Sequence, residues 1–209
     1  MQISFAIKGL DHVKKNLDPQ IYSSALVGSV NDLSKAVITG TSQQIKQRYS
    51  ISTARVKSDI KITARATKTR PRVEIIFKRK PPGLQHYKPV EITRAGIKRT
   101  MGKRGVVARK MKRSKPTRGV SVEVKRGERK TVTKAFLAMM PRGGEGIWRT
   151  KKGEKRRLER LYGPSIGGMF IAISGKDIAQ KIINEKIGKV FMRQIERQRF
   201  RKWGKMGPS

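Results

Sequence analysis

The run Arg72-Val73-Glu74-Ile75-Ile76-Phe77-Lys78 reads as a strand carrying a carboxylate and an ammonium. Metal-dependent nucleases place carboxylates and a lysine on adjoining strands, so Glu74 and Lys78 are the nearest thing here to a hydrolytic element. A two-metal site also needs further carboxylates at the same point, and the 14 Asp and Glu of this chain are scattered singly. The plainer reading is the exposed face of an ordinary strand, and a nuclease would have to lose divalent-ion-dependent cleavage on Glu74→Ala. His12 and His86 are the only histidines, and neither has a partner at metal or triad spacing. Gly143-Gly144-Glu145-Gly146 is followed by no Gly-Lys-Ser/Thr, so it reads as a flexible turn and not as a phosphate loop. With no cysteine there is neither a disulfide nor a thiolate metal site. The expectation is therefore no catalytic residue, no metal and no cofactor.

The remaining chemistry is cationic. The chain has 51 Lys and Arg against 14 Asp and Glu, a formal net charge of +37 over 209 residues. Self-repulsion on that scale calls for an opposing partner: nucleic acid, an anionic membrane surface or acidic protein neighbours. Three clusters concentrate the charge. Residues 96–119 hold Lys98, Arg99, Lys103, Arg104, Arg109, Lys110, Lys112, Arg113, Lys115 and Arg118 with no acid among them. Residues 151–157 add Lys151, Lys152, Arg156 and Arg157, and the C-terminal Arg199-Phe200-Arg201-Lys202 is the third. Such groups bind phosphates by counterion release, with steep salt dependence and no sequence preference. Acidic protein grooves would serve them as well. RNA-binding modules set stacking aromatics among their basic residues, and 96–119 contains none. A ribosomal or nucleoid-like nucleic-acid-binding protein thus stands as the alternative reading, with backbone or protein contact favoured for this segment.

These groups must be positioned by a core, and 36% apolar residues suffice to build one. Ile3, Phe5 and Ile7 alternate as in a short strand. From Asp18-Pro19 the period changes: Ile21, Ala25, Leu26, Val30, Leu33, Val37, Ile38, Thr41, Ile45 and Tyr49 lie three or four apart. They predict one amphipathic helix of about thirty residues, some 45 Å long, with Asp18 as N-cap and Pro19 at its first position. Gly28 and Gly40 within it mark a bend or a close approach. Ser52 can cap a second helix, Thr53 to Ile60.

Pro81-Pro82-Gly83 must turn or break the strand before it. Val120, Val122 and Val124 alternate, and Thr131 to Phe136 follow through a turn at Gly127, which predicts a hairpin. Residues 141–168, rich in glycine, read as irregular, and Met169 to Ile173 as a short buried strand. A last helix from about Ser174 presents Ile178, Ile182, Ile183, Ile187, Val190, Phe191 and Ile195 on one face, leaving Phe200 and Trp203 without an obvious core. No window approaches a membrane span and no leader pattern opens the chain, so neither spanning nor secretion is expected. The order predicts an α+β fold: the long N-terminal and C-terminal helices packed on a small, mainly antiparallel sheet, with an extended basic loop or hairpin. The expected organisation is one domain, 1–209, including the basic loop 94–119 and the helix 174–205 with its basic end.

Ala135-Phe136-Leu137-Ala138, then Gly146-Ile147-Trp148-Arg149, then Leu158 and Leu161-Tyr162-Gly163-Pro164-Ser165-Ile166 resemble the minor tail protein Z family of lambda-like long-tailed bacteriophages. Ile7-Lys8-Gly9-Leu10, the long helix and the 49–60 segment are also similar. The sequence departs from the family pattern at Leu158-Glu159, where Pro-Ile is expected, and 78–119 has no counterpart. The resemblance implies a tail completion protein without catalytic role, located in the virion tail or neck and assembled in the host cytoplasm. It implies a homo-oligomer, a hexameric ring, beside the tail terminator, tail tube and neck or connector proteins, with genomic DNA as a further contact and no membrane. Trp148, Arg149, Tyr162, Gly163 and Pro164 become the candidate subunit interface. Trp148 and Tyr162 are its aromatic anchors, unless both simply pack in the core.

Overall fold

The computed structural model describes residues 2–5, 17–92, 97–102, 105–110, 119–140, 144–151, 154 and 157–203. Ile7 and His12 lie outside them, as do Gly143 and Ile7-Lys8-Gly9-Leu10. The fold is α+β, and the chain divides into two compact units: Met1–Gln43 with Lys57–Lys78 and Phe170–Ser209, and Gln44–Val56 with Arg79–Met169.

The first unit holds most of the long helix α1, Pro19–Arg48, which begins where the sequence places it and whose residues from Gln44 belong to the second unit. Asp18 Oδ1 accepts from the amides of Gln20 at 2.7 Å and Ile21 at 3.4 Å, satisfying donors that the first turn leaves open. Strands β1 (Gln2–Phe5), β2 (Ile60–Ala64) and β3 (Val73–Phe77) form an antiparallel sheet with β3 in the centre. Val73, Ile75 and Phe77 are fully buried, as a central strand's inward face requires.

The C-terminal helix α4, Gly175–Trp203, buries Ile183, Phe191 and Ile195, with Ile178, Ile182, Ile187 and Val190 half-buried beside them. Ile21, Ala25, Phe191 and Ile195 form one cluster, with Tyr22 set edge-on to Phe191 at 5.9 Å. The close approach foreseen at two helical glycines is real. A Cβ on Gly28 would come within 2.7 Å of the Gln194 amide oxygen, and one on Gly40 would meet the Ile182 side chain. Along α1, the buried Ser29, Thr41 and Ser42 hydroxyls donate back to the carbonyls four residues earlier, so polar residues sit in the core without lost hydrogen bonds.

In the second unit, a five-stranded antiparallel sheet runs in the order β6-β5-β4-β7-β8. Its strands are β4 (Val90–Ile92), β5 (Ile97–Gly102), β6 (Gly105–Lys110), β7 (Gly119–Glu123) and β8 (Arg129–Thr133). The basic segment thus contributes a hairpin, β5–β6, bonded to the short β4. The β7–β8 turn has Gly127 at φ +80°, as predicted, and Glu123 Oε1 accepts from its amide at 3.1 Å. A second antiparallel sheet has the order β11-β10-β9, made of Ala135–Met140 (β9), Gly144–Thr150 (β10) and Leu158–Arg160 (β11).

Four expectations are corrected. The run Thr131 to Phe136 is not one strand, because Lys134 at φ +60° breaks it between β8 and β9. Residues 141–168 are not irregular, since β10 and β11 lie within them. Met169 to Ile173 is not a strand: Met169 to Ala172 belong to helix α3, Ile166–Ala172, and Ile173 follows in a turn. Five apolar residues are too few to show their period, and the decisive group is Ser165: its Oγ accepts from the Gly168 amide at 3.1 Å and its carbonyl from Met169 at 2.9 Å. The second helix, α2 (Thr53–Ser58), is capped by Ser52 but stops before Ile60, which starts β2.

Candidate functional site

Glu74 is held by two arginines, Arg70 at 2.7 Å and Arg72 at 2.6 Å. The Arg72 hydrogen bond, ahead of the Arg70 and Arg72 charges, keeps its carboxyl below the ordinary range. Lys78 donates to Asp59 at 3.1 Å. Both members of the nuclease-like pair are thus engaged by opposite charges of their own unit. His86 ends the 3-10 turn Leu84–His86. Among the described residues no group of three or more His, Cys, Asp or Glu could hold a metal ion. No helix there is long and apolar enough to cross a membrane.

The candidate interface residues gather in the second unit. In β10, Trp148 stands opposite Phe136 of β9 and Arg160 of β11. Its Nε1 donates to the Ala138 carbonyl at 3.3 Å, and the Arg160 guanidinium lies 5.9 Å from the ring centre, a cation–π distance. Gly146 makes this possible, since a Cβ there would press on both the indole and Arg160 at 3.0 Å. Arg160 is fixed in turn by donating to the Glu145 carbonyl at 2.7 Å. Arg149 pairs with Glu159, directly opposite, through its Nε at 3.0 Å and Nη2 at 2.6 Å. Trp148 is half-buried and already held, whereas Tyr162 is 49% exposed.

The corner at Tyr162-Gly163-Pro164 is clamped from below. The Leu84 amide donates to the Leu161 carbonyl at 3.0 Å, and the Gly163 amide to Pro82 at 2.8 Å. Tyr87, fully buried, lies where a side chain on Gly163 would be, and its hydroxyl donates to the Pro164 carbonyl at 3.3 Å. Tyr87 and Arg160 are the residues that sequence reasoning missed here. Had β10 and β11 been recognised as strands, alternation would have put Arg160 beside Trp148. Nothing in the sequence near Tyr87 announces its ring under Gly163.

The basic residues divide into three groups. Lys98 and Arg99 lie on β5, and Arg109 and Lys110 on β6. Lys151 and Arg157 share Glu154, at 2.7 Å and 3.4 Å, and the Lys151 amide donates to the Arg157 carbonyl, closing the β10–β11 connection. Exposed pairs of this kind add little stability, and they leave these two cations partly answered within the fold. Lys103, Arg104, Lys112, Arg113, Lys115, Arg118, Lys152 and Arg156 lie outside the described residues. Among the described residues the arrangement offers an exposed aromatic corner and two strands rich in Lys and Arg, with no assembled nucleophile, acid or base.

A family model described as prophage minor tail protein Z matches residues 3–203, a span that enters both units. No curated protein and no solved structure matches.

Proposed function

The chain belongs to the prophage minor tail protein Z family, and from that membership we propose that it completes the phage tail and acts where the tail joins the head. The family match over residues 3–203 is the observation that carries this reading. A minor tail protein is a structural component of the virion. In the proposed role it has no catalytic step, and it acts through surfaces. Copies close into a ring, hexameric to match the tube, with the Tyr162-Gly163-Pro164 corner and the Trp148–Arg149 strand at the subunit contact. Tyr162 supports that use by exposing an aromatic ring on a backbone fixed by Tyr87. Tail terminator, tube and neck proteins are the neighbours.

The charge of +37 supports a stationary contact. A uniformly cationic channel would trap DNA that has to slide, so the cations are better placed to hold a fixed partner or the leading DNA end until ejection. A nonsense mutation in the gene, read by electron microscopy and plaque titre, tests the role. Unjoined tails and heads, or joined particles of low infectivity, are the expected result. Normal particles at normal titre would overturn it.

A further inference from the structure

We propose that the open edge of β6 accepts an acidic, extended segment of a neighbouring virion protein as a sixth strand of the five-stranded sheet. The identity of the neighbour as a virion protein rests on the functional reading above. The sheet order makes β6 terminal, and among the described residues no strand pairs its outer edge. Along its six residues every other one turns its amide and carbonyl to the outer edge, where a strand can use them, the mode in which extended peptides join sheets.

The charge pattern across the sheet says which strand. One register row runs Val132, Val120, Glu91, Arg99, Ala108. Here the fold places a carboxylate directly opposite its cation. The next row of the same face pattern but opposite side runs Thr133, Gly119, Ile92, Lys98, Arg109. It contains no acid, and it ends with Lys98 directly opposite Arg109. Like charges opposite one another on adjacent strands are destabilising. The position that would relieve them is the next one in the row, on a strand beyond β6. Lys110, opposite Ile97, is also without a carboxylate across the pair. Charges on edge strands commonly serve to discourage aggregation. That explains Arg109 and Lys110, which lie on the edge, but not Lys98, which lies on the inner strand β5.

A second copy of this chain is a poor occupant. It brings a further charge of +37, and the other open edge, β8, itself begins Arg129-Lys130. DNA phosphates would answer the cations but cannot continue a backbone ladder, and residues 97–110 hold no aromatic on which a base could stack. An acidic strand satisfies the edge and the charge together.

The test uses the full-length protein and two ten-residue peptides of equal charge, both alternating Glu with Val, one of them N-methylated at every backbone nitrogen. The methylated peptide has no amide hydrogen on either edge and cannot complete the ladder. By fluorescence anisotropy the unmethylated peptide should bind about tenfold or more tighter, a difference well above measurement scatter. In hydrogen exchange it should slow the amides of 105–110. Lys98→Glu with Arg109→Glu should lose that binding while circular dichroism is retained; if the reversal unfolds the chain, Lys98→Gln with Arg109→Gln carries the same prediction. Equal binding of the two peptides would overturn the inference. So would protection of β6 by a short DNA duplex and not by the peptide, or its protection by self-association alone. The two readings fail separately. Full rescue of a nonsense phage by the doubly reversed protein would sink the β6 contact and leave tail completion standing. A nonsense phage of normal titre would sink tail completion and leave the peptide result untouched.

Discussion

Along the helices α1 and α4, acids are set against the groups that need them. Asp32 Oδ2 accepts from Gln194 at 2.7 Å and Arg193 at 3.0 Å, and Asp18 takes Lys202 near the other end of α4. In the β5–β6 hairpin, Lys98 instead stands opposite Arg109 in a register row without an acid. Both regions are basic in sequence, so density of charge does not separate them. The difference lies in whether the fold supplies the counter-charge. Where an acid is set against the cation, the cation serves the subunit's own stability; where the register sets a second cation there, the proposed neighbour supplies the acid.

Substitutions can break this contrast, and the largest effect should come from the helix pair's core. Phe191→Ala removes a buried ring and should lower unfolding free energy in urea by about 3–5 kcal/mol; a loss below about 1 kcal/mol would mean the pair is not held by this cluster. Next, Gly163→Val forces a side chain into the Tyr87 ring and should cost about 1–3 kcal/mol, with an accompanying change in tyrosine fluorescence. Asp32→Ala strips the acceptor from the buried Gln194 amide and should cost about 1–2 kcal/mol, measured the same way. At the hairpin the sign reverses: Lys98→Glu should raise stability by about 0.2–1 kcal/mol. That gain should be visible at low salt and fade as salt is added, and a loss would break the comparison outright.

A smaller effect follows from pH. The Lys202 hydrogen bond, then the Gln20 amide, lowers the carboxyl pKa of Asp18, and the Gly127 amide, then the Lys88 charge, lowers that of Glu123. For a lowered carboxyl, stability is present above the unfolded value near about pH 4 and is lost as pH falls through the folded value. Thermal stability should therefore fall below about pH 4, and Asp18→Asn should flatten that decline.

Much of this was legible because helix signals are local. Asp18-Pro19 and the spacing from Ile21 to Ile45 fix α1, and the inward face of α4 falls on the residues its period selects. The resemblance drawn from the Phe136, Trp148 and Gly163 motifs agrees with the family to which the chain belongs. What escaped depends on contacts distant in sequence. The glycines around 144–146 suggest an irregular segment, yet Gly146 is small so that Trp148 and Arg160 can lie across it. Likewise, the run of cations at 96–119 gives no hint that the register sets Arg99 opposite Glu91 and Lys98 opposite Arg109. That distinction exists only once the register is set.

The most direct measurement is cryo-microscopy of purified particles of the phage that encodes the chain. A ring of this subunit is expected at the head-proximal end of the tail, with the β5–β6 hairpin against an acidic segment of the adjoining protein. Particles that are infectious and carry no copy of the chain at that position would contradict it.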